Sequence, residues 1–483
     1  MRKTSLKRNF LYSSAYQVLL VITPLVMTPW LSRTIGAEGN GIFTYTQSIA
    51  NYFVLVSALG IQNYGVREIA ACGEDRALRS RTFWETIAMS ASVGVLVLLI
   101  YIIYVVLFGG SYTLYWVVWS LWVLGSVADP SWLFFGCQEF RMPTIRSLIT
   151  RVISVLAILL LVRSPKDTWI YVLAIAGLHL LNSLLLWPFV GQFVDWACPS
   201  AKGALSRLKP NAALFIPVLA TSLYTLMDKV MLGSMAGVLE VGMYDYAEKI
   251  SKMPLSIITA LGAVTLPKMT EIISAGQIER GKDLVRDTMW FMQACAMALS
   301  FGIAAIAPEF VPIFFGDGFN ECISLMRVLC IIIPLICATN VMGVQYLLPC
   351  RRDRDFTLSV SVGALVNIIV NLFLIPAYGA LGAAWATVLS EIAVMVYQVL
   401  VIRNEIPLLR CFLDSVPFVI IGVVMFSIIR AIVNLGILPS PSIQILLVEF
   451  TVGATSYLVL SYLWCWISRS IRLKRVFPNL ARW

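Results

Sequence analysis

The residues best suited to chemistry collect in residues 228–254, DKVMLGSMAGVLEVGMYDYAEKISKMP, where charge interrupts two otherwise apolar runs. Asp228 and Lys229 sit near the end of the first run, and Asp245, Glu248, Lys249 and Lys252 follow in the first half of the next. Steps of three or four residues put the last four on one side of a helix. The lysines can hold an anion, and the carboxylates can take up a proton or a small cation. Asp245 to Lys249 and Glu248 to Lys252 are also acid-before-base pairs at i, i+4, so mutual neutralisation is the plainer reading. Yet a charged side chain at membrane depth costs about 2.5–3.5 kcal/mol and is usually kept where it meets a wet cavity or a partner. Pairing alone does not explain why so many ionisable groups share one hairpin, and the stretch reads as the wall of a polar cavity.

Other polar residues inside apolar runs carry the same two readings. Arg151 lies about six residues, roughly 9 Å, inside its run and either snorkels to lipid phosphates or adds a cation to the cavity. Glu391 lies near the middle of its run, at a depth close to Asn367 and Asn371, as hydrogen-bonded structure or as a site for a proton or sodium ion. Arg430 and Glu449 stand at matching depths in the last two runs, where an ion pair stapling two helices is the better account. His179 is the single histidine, among apolar neighbours beside Asn182; packing outweighs proton shuttling there, and one histidine excludes a histidine-based metal cluster.

These groups must be positioned by membrane helices. Of 483 residues, 59% are hydrophobic and 13% charged, against about a quarter charged in soluble domains. The pattern predicts an all-α integral membrane protein of about fourteen spans: 9–31, 41–63, 84–108, 113–135, 145–163, 169–194, 210–233, 242–266, 288–308, 322–348, 356–375, 380–402, 416–436 and 443–467. Runs near twenty residues fit helices, not barrel strands. Arg2, Lys3, Lys7 and Arg8 precede the first run as in a signal peptide, but no small-residue cleavage site follows, which predicts a retained span.

Basic residues are sorted by side. Counting span-edge residues such as Arg146 and Arg163 with the adjoining loops, the N-terminus, alternate loops from 64–83 onward and the tail hold 27 Lys and Arg, whereas the opposite loops hold Arg33, Arg163 and Lys166, which predicts both termini in the cytoplasm. The net charge of +10 is therefore topological and can hold anionic lipid heads, with no call for nucleic acid. The ten cysteines form no CxxC and no regular framework, so disulfides are not expected. GIFTY (41–45) followed by ALG (58–60) reappears as GMYDY (242–246) followed by ALG (260–262). That near-constant offset suggests two pseudo-symmetric six-helix lobes, 1–195 and 196–403, with 404–483 adding two spans and a basic cytoplasmic tail.

The stretches RTIGAEGNGIFTYTQSI (33–49), YGVREIA (64–70), SWLFFGCQEF (131–140), DKVMLG (228–233), VGMYDYAEKI (241–250), LPKM (266–269), FFGDGF (314–319) and NIIVNLFLIPAYGALGAAWATVLSE (367–391) stand in an order and spacing that resemble one family. Over nearly its whole length the chain resembles the Wzx-type flippases of the multidrug/oligosaccharidyl-lipid/polysaccharide exporter superfamily. The resemblance implies a two-lobed transporter in the bacterial inner membrane, not an enzyme. It would carry an undecaprenyl-pyrophosphate-linked oligosaccharide repeat unit between leaflets by alternating access, coupled to a proton or sodium ion, without a cofactor. Polysaccharide polymerase and export machinery are candidate partners.

Such a cargo has an anionic head, many hydroxyls and an apolar tail that can stay in lipid. Lys229, Lys249, Lys252 and Arg151 are the candidates for the anion, with Arg33 and Arg67 at the two mouths; Gln47, Asn51 and nearby tyrosines are candidates for sugar hydroxyls. Asp228, Asp245 and Glu391 are candidates for ion coupling, and Arg430 with Glu449 for a structural pair. A multidrug antiporter of the same superfamily should have an acidic, aromatic cavity, whereas the two spans of this hairpin balance three lysines with three acids. A lipid-linked peptidoglycan precursor flippase remains closer in chemistry. A membrane polymerase or acyltransferase on similar glycans should show a sizeable outer loop or a catalytic histidine motif, and neither is present; nor is a Walker motif.

Overall fold

A chain crossing lipid must satisfy its backbone polar groups internally, which leaves helices as the natural outcome for long apolar runs. The computed structural model describes residues 22–436 and 441–468, and among them every regular element is helical. Most of the first expected span with Arg2, Lys3, Lys7 and Arg8, and the basic tail from 469 onward, lie outside the described residues. Within them, ten helical stretches are long and apolar enough to cross a membrane, beginning with Gly36–Ala71 and ending with Ile443–Ile467.

One stretch shows how sequence shapes these crossings. Asp353–Ile402 runs 50 residues, and a straight helix of that length would measure about 75 Å, far beyond a hydrocarbon core of about 30 Å. The chain turns at Gly379, whose φ of 54° and ψ of −132° suit a residue without Cβ, just after Pro376 has removed a helix donor. Two apolar segments, 356–375 and 380–402 in the sequence reading, are therefore separated by this turn.

The repeated ALG motif does not behave alike in its two copies. Leu59 and Gly60 adopt left-handed φ values of 43° and 80° and separate Gly36–Ala58 from Ile61–Ala71. Residues 260–262 instead continue the Leu255–Ser274 helix. There the interruption falls earlier: Val238–Lys252 stops before Pro254, which disfavours helical backbone at the residue before it. The charged row of the second copy thus occupies a short helix of its own.

The chain divides into two compact units, one ending at Gly242 and the other starting at Met243. In the first unit Ala201–Met235 packs with Gly36–Ala58 and Arg76–Phe108. Its core is aromatic: Trp116, Trp119, Tyr101, Phe43 and Tyr171 are buried together, with Trp119 Nε1 donating to Thr46 Oγ1 at 2.9 Å and Tyr101 Oη donating to the Trp116 carbonyl at 2.7 Å. The second unit uses softer material, with Met269, Met289, Met292 and Met342 around Ile333, Val341 and Leu347.

Arg76–Phe108 illustrates a lipid-exposed helix. Gly94, Val97, Tyr101 and Val105 form its buried stripe, while Leu96, Leu99, Ile103 and Val106 are exposed. Over 94–106 both faces are apolar, as expected when the outer solvent is hydrocarbon.

Within the first unit, Gly41 and Gly242 allow a backbone crossing that larger residues forbid. A Cβ on Gly41 would run into the Val238 carbonyl, and one on Gly242 into the Ala37 carbonyl. Gly41→Val should therefore lower the thermal unfolding temperature of the purified protein, at an overpacking cost of about 1–3 kcal/mol or more. Gly177→Ala, where the new methyl would find its nearest neighbour, Leu173 Cδ1, at 3.7 Å, should leave it unchanged.

Candidate functional site

In the second unit the charges predicted to share a face do so, with the acids deeper than the bases. Asp245 and Glu248 are buried, whereas the side chains of Lys249 and Lys252 retain 35% exposure each. Lys249 Nζ lies 2.5 Å from Asp245 Oδ2, and Lys252 Nζ lies 2.6 Å from Glu248 Oε1. Both pairs follow the acid-before-base order within Val238–Lys252. Neither lysine is sealed in, since each keeps about a third of its side chain exposed beside the acid it pairs with. Lys249 also stands 5.9 Å from the centre of the Tyr246 ring, within cation–π range.

This helix is anchored to the segment bearing Glu391. Tyr244 Oη and Thr387 Oγ1 are 2.9 Å apart and buried, and Glu391 follows Thr387 by one turn, itself 6% exposed. Further toward the start of the same long helical record, Asn371 Nδ2 donates to Asn367 Oδ1 at 3.1 Å. Asp245 and Glu391 are thus both buried on elements joined by one hydrogen bond.

The candidates of the first unit fall into two groups. Asp228 is buried and Lys229 partly buried on Ala201–Met235. Asp228 is in electrostatic reach of Tyr52, which follows Asn51 on Gly36–Ala58, and Gln47 lies one turn before Asn51. Asn51 and Gln47 are partly buried on that helix. Arg33 and Arg67 are exposed: Arg33 Nη1 donates to the Pro29 carbonyl at 3.1 Å, and Arg67 lies 3.5 Å from Glu68. Arg151 is partly buried on Arg141–Leu161, and its Nε is enclosed without a hydrogen-bond partner. His179 packs beside Trp122, the ring centres 5.7 Å apart.

Sequence reasoning missed two polar networks in this unit. Glu85, 3% exposed, accepts from Arg207 Nη2 at 2.9 Å, Arg207 Nε at 3.2 Å and Arg81 Nε at 3.0 Å, while Arg207 Nη1 lies 3.8 Å from Glu68. Gly203 makes room for this carboxylate, since a Cβ there would strike it. The available signal was Glu85 itself, an acid at the start of an apolar run four residues after Arg81. In the second network Asp129 accepts from Ser131 Oγ at 2.6 Å and Gln62 Nε2 at 3.1 Å, with Arg146 Nη1 3.7 Å away. Arg81, Arg146 and Arg207 were read only as topological charge.

The expected pair of Arg430 with Glu449 gains a third member. Arg430 does lie 3.5 Å from Glu449, but its main partner is Glu309, at 2.6 and 3.0 Å through both terminal nitrogens. The staple therefore joins three helices, Ile278–Phe314, Val416–Asn434 and Ile443–Ile467. Glu309 sits at the edge of its apolar run beside Pro308, and depth matching between the last two runs overlooked it.

Removing one member of a buried ion pair leaves the other uncompensated, typically at about 3–5 kcal/mol. Arg207→Gln should accordingly lower the unfolding temperature markedly, and adding Glu85→Gln should restore part of the loss. Additive losses in the double variant would refute the coupling between these groups.

The comparisons with known proteins agree with this architecture. A profile of the family described as "Polysaccharide biosynthesis protein" matches residues 6–273. An Escherichia coli (strain K12) protein named for O-antigen transport is 23% identical over 408 residues, covering 83% of this chain and 98% of its own length. Among solved structures, "Lipid II flippase MurJ, inward closed conformation" aligns with a TM-score of 0.75 at 14% identity over 94% of this chain and 99% of that one. An inward-facing multidrug resistance MATE transporter of the MOP superfamily aligns with a TM-score of 0.60 at 14% identity over 80% of this chain and 98% of that one. These structures share the fold. With ten apolar helical stretches and a family profile covering more than half its length, this multi-pass membrane protein belongs to the polysaccharide biosynthesis protein family.

Proposed function

We propose that this chain is a flippase that moves a lipid-linked oligosaccharide repeat unit across the bacterial inner membrane for surface polysaccharide assembly. The observation that carries the reading is collinearity with the O-antigen transport relative over 98% of that protein's length. The charged row of Val238–Lys252 supports the choice of cargo. Its lysine side chains stay partly exposed beside the carboxylates that balance them, and so can bind the pyrophosphate of an undecaprenyl-pyrophosphate-linked glycan while its apolar tail stays in lipid.

Lys229, Lys249, Lys252 and Arg151 hold the anionic head, and Gln47 and Asn51 contact sugar hydroxyls. Arg33 and Arg67 meet the cargo at the mouths. Two six-helix lobes alternate access to the site. Asp228, Asp245 and Glu391 couple the cycle to a proton or sodium ion, because neutralising Asp245 frees Lys249 to bind phosphate more strongly. A polymerase and export machinery receive the product on the outer side. The MurJ and MATE folds support the transport class but do not choose among cargoes, since both resemble this chain at 14% identity.

The test uses a strain lacking the native copy and complemented with Lys249→Gln/Lys252→Gln. At normal protein level in the membrane, surface polysaccharide should fall at least about tenfold, the equivalent of 1.4 kcal/mol, and the lipid-linked glycan should accumulate on the cytoplasmic leaflet. Undiminished export would remove the lysines from the anion site. Accumulation of a peptidoglycan precursor in the deletion strain, with the surface glycan unchanged, would replace the cargo assignment.

A further inference from the structure

The buried cluster around Arg430 takes no part in the proposed cargo site. Arg430 faces Glu309 in a two-pronged arrangement, Nη1 donating to Oε2 at 2.6 Å and Nη2 to Oε1 at 3.0 Å. Nη1 also donates to the Ala305 carbonyl at 3.0 Å, leaving Glu449 a marginal contact at 3.5 Å through Oε1. Glu309 is 4% exposed and Glu449 1%. The second oxygen of Glu449, Oε2, is fully enclosed and has no hydrogen-bond partner.

Charge balance gives this geometry a chemical meaning. One guanidinium neutralises one carboxylate, and its two terminal nitrogens are directed at Glu309. If Glu449 were also ionised, the cluster would carry a net negative charge among apolar helices, with one carboxylate oxygen shielded from every donor. Such a group costs several kcal/mol and is ordinarily relieved by taking up a proton. Two carboxyl groups sharing a site hold one proton between them for the same reason.

Among the described residues, no other nearby group supplies the missing charge. On the packed helices, Tyr457 donates to the Ala294 carbonyl at 2.7 Å, and Cys295 and Cys465 are neutral as thiols. Arg327, on the adjoining Glu321–Leu329, donates to the Ala304 carbonyl at 3.4 Å. Glu279, Arg280, Lys282, Asp283, Arg286 and Asp287 stand at the opposite end of Ile278–Phe314, about 33 Å or more along the helix from Glu309. Among the described residues, Arg430 is the cation paired with these carboxylates.

We propose that Glu309, Arg430 and Glu449 form a proton-binding site in which the proton resides on Glu449, making attachment of Ile443–Ile467 to its neighbours proton-dependent. The neutral acid can remain beside the Arg430–Glu309 pair; the ionised form would compete with Glu309 for the same guanidinium.

Infrared difference spectroscopy on the full-length protein in lipid nanodiscs tests this at neutral pH. Wild type minus E449Q should show the carbonyl stretch of a protonated carboxylic acid, and that signal should persist when E391Q is introduced in both samples. Because glutamine is neutral and close in shape to the protonated acid, E449Q should unfold at the wild-type temperature, whereas R430Q should unfold well below it. Absence of the carboxylic acid signal would overturn the proposal, as would an E449Q protein that is as destabilised as R430Q or fails to accumulate. Neither measurement reads transport, so failure here is distinguishable from failure of the cargo assignment.

Discussion

An ion at lipid depth costs about 2.5–3.5 kcal/mol on insertion scales, so a membrane protein retains one only where an opposite charge, a polar partner or water stands nearby. That constraint organises the polar structure of this molecule. Asp245 and Glu248 are buried beneath Lys249 and Lys252, Glu85 is bridged by Arg81 and Arg207, and Glu309 and Glu449 surround Arg430. The solutions differ in what they leave over. In the Arg81, Glu85 and Arg207 network two guanidinium groups donate to one carboxylate, whereas Lys249 and Lys252 each face an acid of their own and keep part of each side chain accessible.

Much of the scaffold was legible because lipid imposes a simple code. Long apolar runs became helices, and the i, i+4 order of Asp245 with Lys249 and Glu248 with Lys252 gave the observed pairs. Interruptions were harder to read. Pro254 ends a helix, Gly379 turns a long one, and the two ALG motifs adopt different structures because the second copy is interrupted earlier. These outcomes depend on competition between nearby breakers, which a residue-by-residue match does not contain.

Partners distant in sequence were the least legible. Glu85 and Arg207 are 122 residues apart, and Arg430 and Glu309 are 121 apart. Sequence depth suggested Arg430 with Glu449, yet packing brought a third helix into the pair. Positive loop residues raised the same difficulty: Arg207 serves topology and a buried network together, so its loop-side charge concealed its second role. The comparisons establish a family and a fold, while the proposed pyrophosphate contact rests on the partly exposed lysines of Val238–Lys252.

The central claim is that the Lys249 and Lys252 face borders a water-filled passage. Its most direct measurement is labelling of Lys249→Cys and Lys252→Cys, each in a chain whose ten native cysteines have been replaced, by a charged, membrane-impermeant thiol reagent in oriented membranes. The account predicts labelling at both positions, with inorganic pyrophosphate slowing it. Reaction only with a lipid-soluble reagent would place the lysines at the lipid boundary and contradict the account.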